Sequence, residues 1–380
     1  MSRVAFINGR VLLDEGFRSD VAVLVERGRI AAIVPAADAR HANADVRDLR
    51  GDLLLPGFVD TQVNGGGGVL FNDAPSVEAI RAIGAAHRRF GTAAFLPTLI
   101  SDDLSVISRA LAAVRDAVAA GVPGVVGVHI EGPFISAERK GAHDESKLSD
   151  LDARGVSLLT SLGVARTLVT LAPEVTTPET IRTLARAGVV VAAGHTNATF
   201  EAMGAAFEAG VTGVTHLFNA MSPLGNREPG VVGAALDDPR CRCGIIVDGR
   251  HVHPTVLRLA LRTKPADRFM LVTDAMPNVG SGRDHFMLQG RRIEVRDGVC
   301  LDENGVLSGS ALDMASAVRN AVRMLGVPLE VAVRMASAYP ADFLGLGDQI
   351  GRIAPGLRAN LVVADASLDV RETWIEGAPG

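Results

Sequence analysis

The feature that most constrains this 380-residue chain is a repeated alternation of short apolar runs with amphipathic stretches, which begins near Pro56. A strand buried on both faces reads as a continuous apolar run, and alternation with helices is typical of parallel sheets. Eight such runs predict a (β/α)8 TIM barrel, since no G-x-G-x-x-G motif follows an early strand to favour a dinucleotide fold. The runs are LLLPGFVD, FLPTL, VVGVHI, TLVTLAP, VVVAAGH, GVTHL, GIIVDG and FMLVTD.

Local signals mark the ends of several helices between these runs. Thr177 followed by Pro178 is typical of a helix start, and Gly188 of the helix end. A similar helical unit is predicted between residues 198 and 210. His87, in the helical pattern IRAIGAAHRRFG, is expected to be exposed or half-buried.

Both ends of the chain have strand character. Residues 3–55 contain VAFINGRVLL and VAVLVERGRIAAIV, and Arg27 with Gly28 predicts a hairpin turn in the second of these. After the last barrel unit, GRIAPGLRANLVVADASL and TWIEG return to the strand pattern. The simplest arrangement pairs the two ends into one small β domain. The alternating segment after the eighth run predicts a β-hairpin insertion near 283–306, over the mouth of the barrel.

Composition narrows the classes of partner. Apolar residues make up 48% and charged residues 21% of the chain, and the net charge is −5, with no long basic run. These values indicate a globular protein and argue against nucleic-acid or membrane partners. No apolar stretch approaches a membrane span and the start lacks a signal-peptide pattern, so we expect a cytoplasmic protein. Three cysteines are too few for a disulfide framework, and Cys241 and Cys243 are expected to be reduced structural thiols.

Four ionisable residues directly follow, or end, successive apolar runs: Glu131, His195, His216 and Asp274. Any one of them alone could cap a helix or satisfy a loop. Together they are harder to explain structurally, because ionisable groups at the mouth of an apolar core are usually paired or coordinate a metal. The ends of parallel barrel strands converge on one rim, so the pattern predicts a metal-activated hydrolase.

The motifs along the chain are PGFVDTQVNG, HIEGPF, GHTNAT, THLFNAM with NREPG, DGRHVH, TDAMP, LSGS and GRIAPGLRANLVVAD. Through these motifs the chain resembles, over nearly its whole length, the N-acetylglucosamine-6-phosphate deacetylase family of the amidohydrolase superfamily. The family implies a TIM barrel with a β-sandwich domain built from both termini. The corresponding bounds are 1–54 and 348–380 for the β-sandwich and 55–347 for the barrel.

The resemblance implies that Glu131, His195 and His216 are metal ligands. One carboxylate and two imidazoles suit a divalent ion and leave a position for water; zinc is the first choice, with iron, manganese or cobalt as alternatives. Many amidohydrolases carry His-x-His on the first strand, where this chain has Gln62 and Asn64. We therefore expect one ion per subunit, with these amides as hydrogen-bonding remnants of a second site; assistance to a weak second ion is the alternative.

Two residues are assigned catalytic roles by the resemblance. Asp274 would take a proton from the attacking water and pass it to the leaving amine; its alternative role is a fourth metal ligand. His143, in KGAHDES, would help to polarise the acetyl carbonyl and bind substrate.

The remaining implied residues bind the sugar phosphate. The family commonly dimerises with Arg227 and His251 reaching into the neighbouring site, so a homodimer is expected. His253 makes an H-V-H with His251, but without a nearby acidic ligand polar lining is favoured over a second metal site. The substrate-binding set is Ala142, His143, Asn219, Ala220, Arg227, His251, Leu307, Ser308 and Gly309.

The resulting functional hypothesis is hydrolysis of N-acetyl-D-glucosamine 6-phosphate to D-glucosamine 6-phosphate and acetate, in amino-sugar catabolism and cell-wall sugar recycling. The galactosamine epimer is an alternative substrate, because one hydroxyl configuration depends on loop geometry. A catalytically silent binding protein would lack a ligand or a base, and none is missing. A hydantoinase-like enzyme would need His-x-His and a bridging lysine, which are not evident.

Overall fold

The computed structural model describes residues 3–41 and 43–380, and its centre is a sheet of eight parallel strands that pair in sequence order. Most residues of these strands are buried, as the continuous apolar runs require. The arrangement confirms the predicted TIM barrel. The eight barrel strands, called first to eighth below, are Phe58–Val63, Thr92–Ile100, Gly127–Glu131, Arg166–Leu171, Val190–Ala193, Val211–Val214, Arg242–Ile245 and Phe269–Leu271.

Helices follow the barrel strands and pack their apolar faces on the sheet. Thr177 caps the helix Pro178–Arg186 as predicted, because its side chain accepts a hydrogen bond from Thr180 N. Gly188, with φ of +83°, lies just beyond the end of this helix. The α-helices are Val77–Arg88, Leu104–Ala119, Ala153–Leu159, Pro178–Arg186, Phe200–Ala209, Gly230–Asp237, Pro254–Ala260, Met314–Leu325, Leu329–Met335 and Ala338–Phe343, and the short 3-10 turns are Asp38–His41, Ala137–Arg139, Glu145–Lys147, Pro173–Val175 and Ala266–Arg268.

The expectation for His87 is wrong. Its side chain is fully buried under the helix Val77–Arg88, and Nε2 donates to the carbonyl oxygen of Gly65 at 2.8 Å. Helical periodicity did not show that a short two-stranded element, Gly65–Gly66 with Val69–Leu70, covers this helix face.

Among the residues that the structure describes, no helix is long and apolar enough to cross a membrane.

The barrel closes between its first and eighth strands through backbone contacts and through the side chain of Asp60. Asp274 N donates to Gln62 O at 3.0 Å at the rim of this seam. Below it, the fully buried carboxylate of Asp60 accepts from Thr273 Oγ1 at 2.5 Å and from the backbone amides of Thr273 and Gln62. Burial raises the pKa of Asp60 to about 7, although these hydrogen bonds oppose the rise. Asp60 therefore links the two strands that carry Gln62 and Asp274.

Strands from both ends of the chain form a β-rich unit beside the barrel. One sheet has four strands and the other six, and the six-stranded sheet pairs Leu361–Ala364 with Leu53–Pro56, a strand that crosses the predicted boundary at 54. The ring of Phe6 in one sheet meets that of Trp374 in the other at 4.9 Å. The sheet orders are Arg29–Pro35, Val21–Glu26, Val4–Ile7, Asp45–Asp48, and Ala378–Pro379, Val370–Ile375, Leu361–Ala364, Leu53–Pro56, Arg10–Leu13, Gly16–Arg18.

An insertion follows the eighth barrel strand. It is larger than the single predicted hairpin, because four antiparallel strands pair in order and the last ends at Ser310. Its apolar face packs with Ile100 and Met276, close to the carboxyl ends of the barrel strands. We call residues 285–310 the hairpin sheet. Its strands are His285–Leu288, Arg291–Arg296, Val299–Leu301 and Leu307–Ser310.

Candidate metal centre and catalytic site

Three of the four residues predicted at strand ends have left-handed backbone conformations. The φ angles are +49° for His195, +31° for His216 and +52° for Asp274. Non-glycine residues rarely adopt this conformation, and such residues concentrate at functional sites. The left-handed turn breaks the strand and redirects each side chain over the barrel mouth.

Glu131, His195 and His216 form a tight cluster. Glu131 Oε1 lies 3.2 Å from His195 Nε2 and 3.0 Å from His216 Nε2, and the two Nε2 atoms are 3.0 Å apart. All three side chains are buried, and one ligand atom from each lies within 4.8 Å of the others. Within the described part of the chain, this is the group whose geometry could hold a metal ion.

The donor atoms of this cluster fit a divalent cation. His195 Nδ1 lies 2.9 Å from the carbonyl oxygen of Arg139, which can only accept, so Nδ1 carries the hydrogen. In the neutral ring Nε2 then presents its lone pair to the cluster. Two imidazole nitrogens and one carboxylate oxygen converge here, and one carboxylate with two imidazoles is a ligand set suited to zinc and similar ions.

Asp274 lies beside the cluster and is connected to it through Gln62. Gln62 Nε2 donates to both carboxylate oxygens of Glu131 and to Asp274 Oδ1, each at 3.1 Å. Asn64 Nδ2 donates to the same Asp274 oxygen at 2.6 Å. The two amides thus direct N–H groups, not oxygen lone pairs, at the carboxylates. This geometry supports hydrogen bonding by Gln62 and Asn64 over ligation of a second ion.

The buried charges shift several pKa values. Burial, followed by the negative charge of Glu131, raises the pKa of Asp274 to about 6. Burial opposes ionisation of Glu131 as well, but the adjacent imidazoles of His195 and His216 hold its pKa well below the usual range. Burial and then the proximity of His195 hold the pKa of His143 well below the usual range. Near neutral pH the site therefore has a neutral imidazole at His143 and a carboxyl with a pKa suited to proton transfer at Asp274.

The His143 side chain packs against His195, one of the three residues of the cluster. The rings of His143 and His195 have centroids 4.4 Å apart. His143 Nδ1 is 2.7 Å from Ser101 Oγ and 3.3 Å from Ser101 N. Ser101 was not singled out from the sequence, although it directly follows the apolar run FLPTLI and the strand-end rule could have found it.

A cavity of about 500 Å³ opens over these groups. Of the predicted substrate-binding residues, it is lined by Ala142, His143, Asn219, Ala220, His251, Leu307 and Gly309. Its apolar walls were not predicted, because they come from strand ends and the hairpin sheet and lack a polar motif. These wall residues are Ile100, Ile246, Met276, Leu288 and Val306, and Glu138 and Arg139 also line the cavity.

Two predicted substrate residues lie elsewhere. Arg227 is exposed on the loop before helix Gly230–Asp237 and is outside the set that lines its own chain's cavity. The Ser308 side chain is buried, with Oγ 3.4 Å from the carbonyl oxygen of Val306. Hairpin sheets alternate their side chains between faces, so Leu307 and Gly309 face the cavity while Ser308 does not.

The two histidines of H-V-H separate in the structure. His251 Nδ1 lies 2.6 Å from Asp248 Oδ2, so the premise that no acidic group is near this motif is wrong. His253 is exposed and its Nδ1 accepts from Thr255 N at the start of helix Pro254–Ala260. Because His253 caps a helix while His251 lines the cavity, this arrangement supports polar lining over a second metal site.

A TIM barrel with a Glu-His-His cluster and an adjacent aspartate at its rim defines a class of hydrolase, and the chain belongs to the amidohydrolase family, whose model matches residues 53–379. Among curated proteins it is 42% identical to an N-acetylgalactosamine-6-phosphate deacetylase of Shewanella sp. (strain ANA-3), over 97% of this chain and 93% of the relative. It is 35% identical to the N-acetylglucosamine-6-phosphate deacetylase of Haemophilus influenzae, over 99% of this chain and 98% of the relative. The resemblance inferred from the motifs is confirmed.

Solved structures agree with this assignment. N-acetylglucosamine-6-phosphate deacetylase from Pasteurella multocida superimposes with a TM-score of 0.96 at 36% identity, covering 100% of this chain and 99% of the other. A mutant of the Mycobacterium smegmatis enzyme in complex with N-acetyl-D-glucosamine-6-phosphate gives 0.91 at 34% identity, with coverage of 100% and 99%. An enamidase at 17% identity and a TM-score of 0.66 shares the fold alone.

Proposed function

We propose that this protein hydrolyses the acetamido group of N-acetyl-D-glucosamine 6-phosphate and releases D-glucosamine 6-phosphate and acetate. The observation that carries the proposal is the placement of Asp274 beside the Glu131–His195–His216 cluster, with Gln62 donating to both carboxylates. A carboxyl group beside three converging ligand atoms supports a reaction that combines proton transfer with a divalent ion. Relatives that align over nearly the whole chain are deacetylases of hexosamine 6-phosphates. We further propose a role in amino-sugar catabolism in the cytoplasm.

Glu131, His195 and His216 would hold the divalent ion. When bound, such an ion acts as a Lewis acid and lowers the pKa of water towards ~7. Zinc suits the ligands best, and iron, manganese or cobalt are compatible with the same atoms.

The side chains of the site then divide the reaction between them. Asp274 accepts a proton from the water that attacks the acetyl carbonyl carbon. His143 donates a hydrogen bond to the carbonyl oxygen as negative charge develops there. Asp274 next gives its proton to the amide nitrogen, the C–N bond breaks, and the sugar leaves as an amine while the acetyl group leaves as acetate.

Recognition of the 6-phosphate is assigned to cavity-lining groups that follow the sixth and seventh barrel strands. Asn219 and the backbone amide of Ala220 follow the sixth barrel strand, and His251 follows the seventh. We propose that Arg227, exposed on its own chain, completes the phosphate site of a second subunit in a homodimer. A guanidinium suits this role because it pairs with phosphate in a bidentate geometry.

One observation favours a second candidate substrate. The relative with 42% identity is named for N-acetylgalactosamine 6-phosphate, while the two relatives above that are named for N-acetylglucosamine 6-phosphate align at 35% and 36%. The two sugars differ at one hydroxyl, and discrimination depends on whether a buried polar group is left unpaired.

Steady-state kinetics with both epimeric 6-phosphates test the proposed function. We expect acetate release from each phosphorylated sugar to be measurable, with the higher kcat/KM for the glucosamine derivative. A higher value for the galactosamine derivative would reassign the substrate while leaving the chemistry intact. Absence of acetate release from both, in protein with its metal content measured, would reject the deacetylase assignment.

Metal stoichiometry is a separate prediction. Gln62 and Asn64 direct amide hydrogens at the carboxylates, so purified protein should hold about one tightly bound divalent ion per chain. Elemental analysis after extensive dialysis measures the ratio, and a His216→Ala variant should fall well below one because a ligand is lost. Two tightly bound ions per chain in the unmodified protein would contradict the single-site assignment.

A further inference from the structure

We propose that Ser101 and Gln289 are positioning residues that hold His143 as the tautomer with its hydrogen on Nε2. The inference builds on the proposed function in one respect, since it supplies the reason why His143 can donate to the substrate carbonyl. Neither residue belongs to the predicted site. Gln289 lies in the hairpin sheet, so this insertion would act on catalysis through the loop that carries His143.

The tautomer follows from the partners of Nδ1. Ser101 N is 3.3 Å from His143 Nδ1, and a backbone amide can only donate. Ser101 Oγ, at 2.7 Å, is the closer partner, and its hydroxyl can donate to a nitrogen that already accepts from the amide. Nδ1 is therefore the unprotonated nitrogen, and Nε2 carries the hydrogen on the side of the ring left for the cavity. The opposite tautomer would present a lone pair to the carbonyl oxygen and repel it.

Gln289 fixes the relative position of the two segments that meet at His143. Gln289 Nε2 donates to Ser101 O at 2.7 Å, while Gln289 Oε1 accepts from Asp144 N at 2.8 Å. Both partners are backbone groups, so the orientation of the amide is determined: only nitrogen can face a carbonyl and only oxygen can face an N–H. One side chain thus joins the end of the second barrel strand to the residue after His143.

The backbone at Gln289 gives an independent indication. Gln289 and Gly290 form the two-residue turn between paired residues Leu288 and Arg291, and their φ angles are +47° and +81°. Turns of this type strongly prefer asparagine, aspartate or glycine at the first position. A glutamine there is uncommon, and its longer side chain reaches the two backbone partners.

Other contacts between the hairpin sheet and the His143 loop agree with this role. Arg291 Nη2 donates to the carbonyl oxygen of Ala142, and Arg291 also pairs with Asp302 at 3.4 Å. Ala142 packs against the apolar cluster that contains Leu288 and Ile293. The loop that presents His143 is therefore held by the hairpin sheet on both sides of that residue.

Nitrogen-15 NMR of the resting protein, labelled at its nine histidines, tests the tautomer directly. The signals of His143 are identified by their loss in a His143→Asn variant. We expect a neutral ring with hydrogen on Nε2 and an unprotonated Nδ1. The measurement needs no substrate, so it remains informative if the proposed reaction is wrong. Hydrogen on Nδ1 in the unmodified protein would overturn the proposal.

Gln289→Glu tests the positioning role with a side chain of the same length. The carboxylate can still accept from Asp144 N, but its second oxygen faces the carbonyl of Ser101 and cannot donate. We expect a second tautomer of His143 to appear and kcat to fall about 10-fold, less than the ~100-fold or more seen when a donor itself is removed. KM and metal content should stay near the unmodified values, because neither phosphate nor metal contacts change.

Asp297→Asn is the matched control. Asp297 lies in the next turn of the same hairpin sheet, is exposed and has φ of +51°, so the exchange between carboxylate and amide occurs in the same backbone conformation. It should leave kcat and the His143 signals unchanged. If Gln289→Glu matches this control, or lowers kcat without altering the His143 signals, the role of Gln289 is refuted. Ser101→Ala, which removes the closer donor to Nδ1, should shift the tautomer in the same direction and decides the matter if Gln289→Glu does not fold.

Discussion

Replacing Asp274 by asparagine is expected to lower kcat by at least ~100-fold, in line with the contribution of general acid-base groups. The asparagine oxygen can still accept from Gln62 and Asn64, so the local hydrogen bonds to Oδ1 are retained. What is lost is the ability to take a proton from water and return it to the amine. Turnover of the phosphorylated sugar by metal-loaded protein measures the effect.

Metal content distinguishes the two roles considered for Asp274. The ligand atoms of Glu131, His195 and His216 converge without a contribution from Asp274, so the asparagine variant should retain about one ion per chain. Asp297→Asn, a surface exchange of the same type, controls for the change in charge. If Asp274→Asn instead loses the ion along with activity, Asp274 is chiefly a ligand.

Substituting Arg227 by alanine is expected to reduce kcat/KM for the phosphorylated sugar by roughly 2 to 4 kcal/mol, as for loss of a charge-assisted contact. The 2 to 4 kcal/mol corresponds to about 30- to 700-fold at 1.4 kcal/mol per factor of ten. Unphosphorylated N-acetylglucosamine should be turned over as slowly as before. Loss of fold or metal would lower kcat/KM for both sugars. The quantity to compare is therefore the ratio of kcat/KM for the phosphorylated sugar to that for the unphosphorylated sugar.

Arg186→Ala is a suitable control for Arg227→Ala. Arg186 is also exposed, at the end of helix Pro178–Arg186, and its loss removes the same charge outside the motif NREPG. The Arg186→Ala variant should leave the kcat/KM ratio of the two sugars unchanged. If Arg227→Ala also leaves that ratio unchanged, Arg227 is an ordinary surface residue and the phosphate assignment loses its electrostatic support.

Mixing variants tests whether Arg227 acts across a dimer. Arg227→Ala chains combined with Asp274→Asn chains would form mixed dimers in which one site has an intact Asp274 and an intact Arg227 from the neighbour. Activity should then recover partly above that of either variant alone. No recovery in dimers shown to exchange subunits would place Arg227 in its own subunit's site or outside the site, which its exposed position makes the less favourable reading.

Much of the fold followed from local patterns. Buried parallel strands must be apolar along their length, so the eight runs were visible without any knowledge of contacts. Thr177 and Pro178 marked a helix start because capping depends on neighbouring residues alone. The positions of Glu131, His195 and His216 were predictable for a similar reason, since the ends of parallel strands meet at one rim of a barrel.

Other features depended on contacts between distant segments. His87 is buried by a two-stranded element whose strands are too short to produce a pattern. The linking role of Asp60 depends on the seam between the first and eighth barrel strands. Its hydrogen bond with Thr273 across this seam joins residues that are 213 apart in sequence. Strand periodicity describes one strand at a time, so it cannot identify which side chains join two strands.

The sequence alone therefore determined that Glu131, His195, His216 and Asp274 lie at the barrel rim. Local apolar patterns show which segments are buried strands and where each strand ends. Only the tertiary structure decided how those side chains are held. The Gln289 amide meets Ser101 across 188 residues, and the amides of Gln62 and Asn64 turn their hydrogens towards Asp274. These contacts depend on the direction of single hydrogen bonds between distant segments. Such directions are set when the barrel, its seam and the hairpin sheet pack together, and no local pattern encodes them.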